Sequence, residues 1–276
     1  MRFGYVVPNN AGVSDPNELT ELARQAEALG FNSVWVSHHV LNLGYVAERL
    51  GNAPYHDALV TLTWIAAHTQ RVRLGTSVLV MPYLHPMVLA KELATLDHFS
   101  NGRLTVGLGV GSLPEENAAL GVPYNTRGRY SDEFIEVLRA LWTQDPATFR
   151  GRFFDFEDIV TSPKPRQTPH PPIVIGGNRP QALKRAARLG DGWHPLNLPP
   201  DSVRRRLPVI REEERNAGRA PMQIVQLRIG MERITPEAVA DFEKAGVTEL
   251  VVHTETGDIA GNHAALERFN AEVMAA

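Results

Sequence analysis

The chain has 276 residues, no cysteine and a formal net charge of −3. Disulfide frameworks, thiolate metal sites and cysteine nucleophiles are therefore excluded, and the charge gives no electrostatic reason for a nucleic-acid or anionic-membrane partner. Hydrophobic residues at 43% and charged residues at 21% are globular proportions, and no run approaches the ~20 apolar residues of a membrane span.

The N-terminus runs straight into Arg2-Phe3-Gly4-Tyr5-Val6-Val7. No basic segment precedes a long apolar one, so no signal peptide and a cytoplasmic location are expected. Strand signals follow at 3–7, 33–36, 72–80, 104–108, 173–175, 192–194, 224–229 and 249–253. Several are apolar without alternation, as in Val34-Trp35-Val36 and Ile173-Val174-Ile175, the pattern of strands covered on both faces. Between the first two strands, Asp15-Pro16-Asn17-Glu18 reads as a cap, a first-turn proline and an acid. Leu19, Leu22, Ala23, Ala26 and Leu29 then share one helix face, and Gly30 ends it. Further helices are predicted at 57–69, 86–99, 131–143, 180–189, 201–217, 236–245 and 262–274, with Thr235-Pro236 repeating the cap-then-proline start. Strict alternation of strand and helix calls for a parallel sheet. Eight such units in a chain near ~250 residues predict one (β/α)8 barrel domain over 1–276, closed by 3–7 beside 249–253.

Two connections are long. One separates the second strand from its helix and carries Tyr45, Arg49 and Tyr55; the other, between the fourth and fifth strands, is an insertion. It holds the 131–143 helix, a hairpin around Phe149-Arg150-Gly151-Arg152-Phe153-Phe154, and the Pro-rich 163–172 segment. Both leave the C-terminal ends of strands, where barrel active sites lie.

The same rule makes candidates of the residues just past each strand: Pro8-Asn9, Ser37-His38-His39, Ser77–Met81, Gly109-Val110-Gly111-Ser112, Gly176-Gly177-Asn178-Arg179, His194, Arg228 and His253. Gly176 and Gly177 permit close backbone approach to a ligand. Asn178 as N-cap, Arg179 beside it and Pro180 in the first turn build a helix N-terminus suited to phosphate, or a tight turn that binds nothing. Gly107-Leu108-Gly109-Val110-Gly111 is not the dinucleotide fingerprint and fits either packing against a planar ring or small residues at the rim. Alternation lets only one of His38 and His39 point inward, and no H-E-x-x-H or carboxylate cluster accompanies them, so no metal is expected. G-x-S-x-G is absent, Glu115-Glu116 reads as a solvated helix start, and Arg204-Arg205-Arg206 as a solvated helix face.

Taken in order, the segments Phe31–His39, Arg73–Leu79, Pro86–Gly102, Arg103–Gly111, Pro171–Asn178 and Ala186–Trp193 resemble the luciferase-like monooxygenase superfamily over nearly the whole chain. The resemblance implies a barrel with an insertion after strand four and a flavin or deazaflavin at its C-terminal mouth. The chain looks most like the branch of coenzyme F420-dependent oxidoreductases. That resemblance implies a cis peptide at Ser77–Val78 in a bulge behind the ring, with Gly109, Val110, Gly176 and Gly177 at ring and tail; the helix start adds Asn178 and Arg179 as cofactor-binding candidates. It implies a catalytic role for His39 near the reacting face. His38 and Asn9 are expected on the substrate side. His38 and Ser112 depart from the acidic residues of sugar-phosphate dehydrogenases in this branch, which argues against that substrate. The leading expectation is F420-dependent hydride transfer to or from a small organic substrate, in a homodimer with no nucleic-acid or membrane partner. An FMN-dependent monooxygenase and a non-catalytic flavin-binding barrel are the alternatives.

Overall fold

The apolar runs become strands because helices cover them outside and side chains fill them inside. In the computed structural model, which describes residues 1–254 and 258–275, the chain runs β1 (Arg2–Val6), α1 (Pro16–Ala28), β2 (Ser33–Val36), α2 (Tyr45–Leu50) and α3 (Ala58–His68). It continues through β3 (Arg73–Thr76), β4 (Leu79–Val80), α4 (Pro86–Phe99), β5 (Leu104–Gly109), α5 (Pro114–Ala119) and α6 (Arg127–Thr143). The antiparallel hairpin β6 (Ala147–Arg150) and β7 (Asp155–Ile159) precedes β8 (Ile173–Gly176), α7 (Pro180–Leu189), β9 (Gly192–His194) and α8 (Pro200–Asn216). The chain closes with β10 (Ile224–Gly230), α9 (Pro236–Lys244), β11 (Glu249–His253) and α10 (Ile259–Phe269).

Neighbours run β3-β2-β1-β11-β10-β9-β8-β5-β4, all parallel, and β5 also pairs with β3, so the sheet is a closed barrel. The chain's two ends meet as expected, from Arg2 opposite Glu249 to Tyr5 opposite Val252. The caps form as read: Asp15 accepts from the Asn17 amide at 2.9 Å, and Thr235 from the Ala238 amide at 3.3 Å.

The expectations fail in four places. The predicted 72–80 strand is two pieces, because a bulge at Ser77-Val78 interrupts the ladder between β3 and β4. Thr76 mends the gap, its hydroxyl donating to the Gly107 carbonyl and accepting from the Gly107 amide. Helix α2 lies in a connection, and α5, although Glu115-Glu116 reads as a helix start, is missing from the predicted helices; both have only six residues, too short for a periodic signal. The helix expected at 131–143 starts earlier, at Arg127, directly after a 3₁₀ turn at Tyr124–Thr126. The last helix, expected at 262–274, is capped at Asp258 and widens into a π turn over Asn270–Met274.

Inside the barrel, alternation stacks three layers. At the N-terminal end Ser33 donates to Glu249, and Gln226 Nε2 donates to the same carboxylate at 2.7 Å. Above them Val6, Trp35, Val174 and Val251 form a separate dry plug. Trp35 fits because β1 and β3 offer Gly4 and Gly75 opposite it; a Cβ at Gly4 would lie 2.9 Å from its Nε1, and one at Gly75 would overlap the ring. Beyond the plug, a third, polar layer gathers Ser37 and His253, two residues past Trp35 and Val251, with Ser77 and His194, and the Arg228 guanidinium reaches Ser37 and Ser77 there. That layer is the floor of the barrel mouth. No helix among the described residues is long and apolar enough to cross a membrane.

Candidate active site

The floor is organised around Arg228. Its Nη1 donates to Ser37 Oγ at 3.0 Å, to the Ser77 carbonyl at 3.0 Å and to Ser77 Oγ at 3.2 Å, tying β10 to β2 and to the bulge. Ser77 Oγ also lies 2.8 Å from His194 Nε2, and the His194 ring stacks on Trp35 at 4.9 Å. Burial, reinforced by the Arg228 charge, pushes His194 down to about 3 and His253 down to about 4, so both imidazoles are neutral near pH 7.

The Ser77–Val78 peptide is cis, as the resemblance implied. Val78 points across the mouth at the glycines of β5 and β8. A Cβ on Gly109 would lie 2.5 Å from Val78 Cγ2, and one on Gly176 would lie 2.8 Å from Val78 Cγ1. These two glycines make room for the bulge itself, a closer cause than contact with a ligand. Val110 is half-buried beside them.

His39 carries the most chemical of the arrangements. Its Nδ1 lies 2.6 Å from Glu116 Oε2, and its Nε2 lies 2.8 Å from the Tyr45 hydroxyl. Glu116 is fully buried, and its other oxygen accepts from the Val40 amide at 2.7 Å and the Leu41 amide at 3.0 Å. Burial alone would raise this carboxyl, but His39 and the two amides outweigh it and hold it below its ordinary value. A carboxylate only accepts, so His39 carries its hydrogen on Nδ1 and presents Nε2 to the mouth. Tyr55 packs edge-on to His39 at 5.9 Å, and its buried hydroxyl is without a partner among the described residues.

Three expected site residues sit differently from their reading. Asn9 is fully buried, donating to the Ser37 and His56 carbonyls and accepting from the Ser37 amide, so it braces the end of β2 and its polar atoms are spent. His38 is buried too, with Nδ1 accepting from the Val80 amide at 3.1 Å, and burial pushes it down to about 4. It therefore clamps β4 behind the bulge. Asn178 is not the N-cap of α7; that position is Arg179. The Asn178 amide instead pairs with both backbone groups of Leu196, holding the loop after β9. Gly177 keeps its expected turn for a backbone reason, with φ at +120° and its carbonyl accepting from Trp193 Nε1 at 2.8 Å. Arg179 is exposed at the start of α7, which has neither a side-chain cap nor an acid in its first turn.

Glu116, Tyr45 and Tyr55 were not singled out as site residues. Glu116 was read as solvent-facing because an acid in a first helical turn usually is. Its position, five residues past the last glycine of a strand-end run, was the available signal. Arg228, His194 and His253 stood among the strand-end candidates, and Ser77 joins the first two through its hydroxyl.

A redox ring fits this mouth. Val78 offers an apolar face, and the Arg228 Nε and the Tyr55 hydroxyl are buried polar atoms for which the described residues supply no partner. No group of three metal-ligating His, Asp or Glu side chains occurs among the described residues.

Comparison with known proteins places this geometry. A family model described as luciferase-like monooxygenase matches residues 1–264. An F420-dependent glucose-6-phosphate dehydrogenase of Kineococcus radiotolerans is 35% identical over 234 residues, covering 81% of this chain and 65% of that protein. An FMNH(2)-dependent dimethylsulfone monooxygenase of Pseudomonas putida is 34% identical over 211 residues, covering 71% of this chain and 56% of that protein. Among solved structures, an F420-dependent secondary alcohol dehydrogenase in complex with an F420–acetone adduct superposes with a TM-score of 0.83 at 20% identity, covering 99% of this chain and 98% of that one.

Proposed function

The chain belongs to the luciferase-like monooxygenase family, and from that premise we propose that it is a coenzyme F420-dependent oxidoreductase moving a hydride to or from a small organic substrate. The observation that carries the reading is the His39 imidazole held between the buried Glu116 carboxylate and the Tyr45 hydroxyl at the mouth. Oxidising a carbon–oxygen single bond to a carbonyl releases a proton along with the hydride, and this trio is built to take one.

When bound, the deazaflavin supplies the ring carbon that accepts or returns the hydride. Ser77 and Val78 would back the ring, with Gly109, Val110, Gly176 and Gly177 along its edges and Arg179 toward an anionic tail. His39 Nε2 takes the hydroxyl proton as the carbonyl forms, and Glu116 offsets the charge of the resulting imidazolium through Nδ1. In the reverse direction the same nitrogen returns the proton. Tyr45 is exposed on α2, so a substrate hydroxyl can take its place at Nε2 or pass its proton through it. The two relatives named for their cofactors divide between F420 and FMN, and the acid–base trio is what favours hydride exchange over oxygen chemistry.

The test is separate titration of the apoprotein with F420 and with FMN, followed by oxygen uptake with each reduced cofactor. Tighter binding of F420 and no oxygen uptake are expected. FMN binding at least tenfold tighter, with oxygen consumed, would instead make the chain an FMN-dependent monooxygenase.

A further inference from the structure

Among the described residues, Arg228 is a cation without a counter-charge. Its hydrogen bonds all run from Nη1 to neutral oxygens of Ser37 and Ser77, its Nε is buried without a partner, and no ion pair to it occurs among the described residues. The floor layer around it holds two serines and two imidazoles and no carboxylate. The titratable and charged groups that act on it are Tyr55, another cation, Arg49 on α2, and Tyr45. Burial lowers the guanidinium from its ordinary value, yet arginine stays protonated in proteins. Arg228 is half-buried with its Nε buried and unpartnered, and an unpaired charge so placed is costly to keep at the mouth of a site that does not use it.

The position of Arg228 says which anion it meets. It is anchored on the bulge residue Ser77, in the floor layer, whereas His39, Tyr45 and Glu116 stand on the connections leaving β2 and β5. A ligand resting on the Ser77–Val78 bulge therefore meets Arg228. Resting on the functional reading above, we propose that Arg228 is the counter-cation for the negative charge of the two-electron-reduced ring of the bound cofactor, holding that ring in its ionised form. Arg228 carries the charge and His39 carries the proton, so ionisation of the ring and protonation of the substrate oxygen are served by different groups.

The experiment is an anaerobic pH titration of the bound, reduced cofactor, reading ring ionisation by absorbance. It compares wild type, Arg228→Gln and Arg228→Lys, each with F420 and with FMN. In wild type the bound ring should ionise about one pH unit or more below the free ring, a tenfold bias toward the anion. Arg228→Gln should raise that ionisation by about one unit or more, while Arg228→Lys keeps most of the bias. Affinity for the oxidised cofactor reports that each variant still forms the site. An ionisation that Arg228→Gln leaves unchanged overturns the proposal. Should that variant not fold, wild type decides alone: a reduced ring bound neutral at a pH where the free ring is anionic overturns it. Binding of FMN but not F420 with the same Arg228-dependent shift would end the F420 reading and support this one. If neither ring binds, both fall.

Discussion

Gly109 and Gly176 give the sharpest test of how the bulge is built. In Gly109→Ala the new Cβ lies 2.5 Å from Val78 Cγ2. Carbon atoms rest at about 3.5–4.0 Å, so the overlap is at least about 1 Å and Val78 or its backbone must move. Overpacking of this kind costs about 1–3 kcal/mol. For a chain of this length that lowers the melting temperature by roughly 2–5 °C. Because the obstructing atom is the end of the Val78 side chain, Val78→Ala should rescue it. The double variant Val78→Ala/Gly109→Ala should melt above the sum of its parts, with a coupling of about 0.5–3 kcal/mol in a denaturant cycle. Gly107→Ala is the contrast, since its Cβ would overlap the Thr76 carbonyl oxygen, which no side-chain truncation removes. Additive losses in the Gly109 cycle, or equal rescue of Gly107→Ala, would refute the packing argument.

His39→Ala should slow turnover by about 10²–10⁴-fold with the melting temperature little changed, checked by steady-state kinetics and thermal unfolding. Glu116→Gln should keep the fold while shifting the acid limb of the pH–rate profile, because an amide can no longer offset the His39 imidazolium; an unchanged profile would remove Glu116 from the mechanism. His38→Ala is expected to lose stability by about 1–3 kcal/mol in urea unfolding, since it strands the Val80 amide. Stability should also fall on acidification. His38, His194 and His253 titrate at about 4, 3 and 4 when folded, so below about pH 6.5 the unfolded chain binds more protons. Their joint contribution is lost as pH falls from about 6.5 toward 4, at a limiting slope of roughly 4 kcal/mol per pH unit. Equal urea midpoints at pH 7 and pH 5 would contradict it.

Much of the barrel was legible because strand covering, caps and alternation are local rules. Asp15-Pro16 and Thr235-Pro236 announce helices from their own chemistry, and Val34-Trp35-Val36 announces a strand covered twice. The bulge was reached only through resemblance, since nothing in Ser77-Val78 as a dipeptide requires a cis bond. The candidate site was half legible. Strand-end position pointed to His39, Ser77, His194, Arg228 and His253, but not to which of them lack partners. Glu116 escaped because its burial depends on the His39–Leu41 backbone, distant in sequence and adjacent only once the β2 and β5 connections fold together. The backbone partners of Asn9, His38 and Asn178 were not legible for a related reason. Each is polar at a strand end, yet each spends its side chain on neighbouring backbone that the sequence does not place.

The central claim is that this family member passes a hydride to or from a deazaflavin with His39 moving the accompanying proton. It is tested most directly by mixing the protein anaerobically with oxidised F420 and a panel of small alcohols, following loss of the cofactor's visible absorbance in wild type and His39→Ala. Bleaching by wild type that is slowed about 10²–10⁴-fold in the variant is the predicted result. Bleaching at equal rates in both, or none with any alcohol while reduced FMN consumes oxygen in the protein's presence, would contradict it.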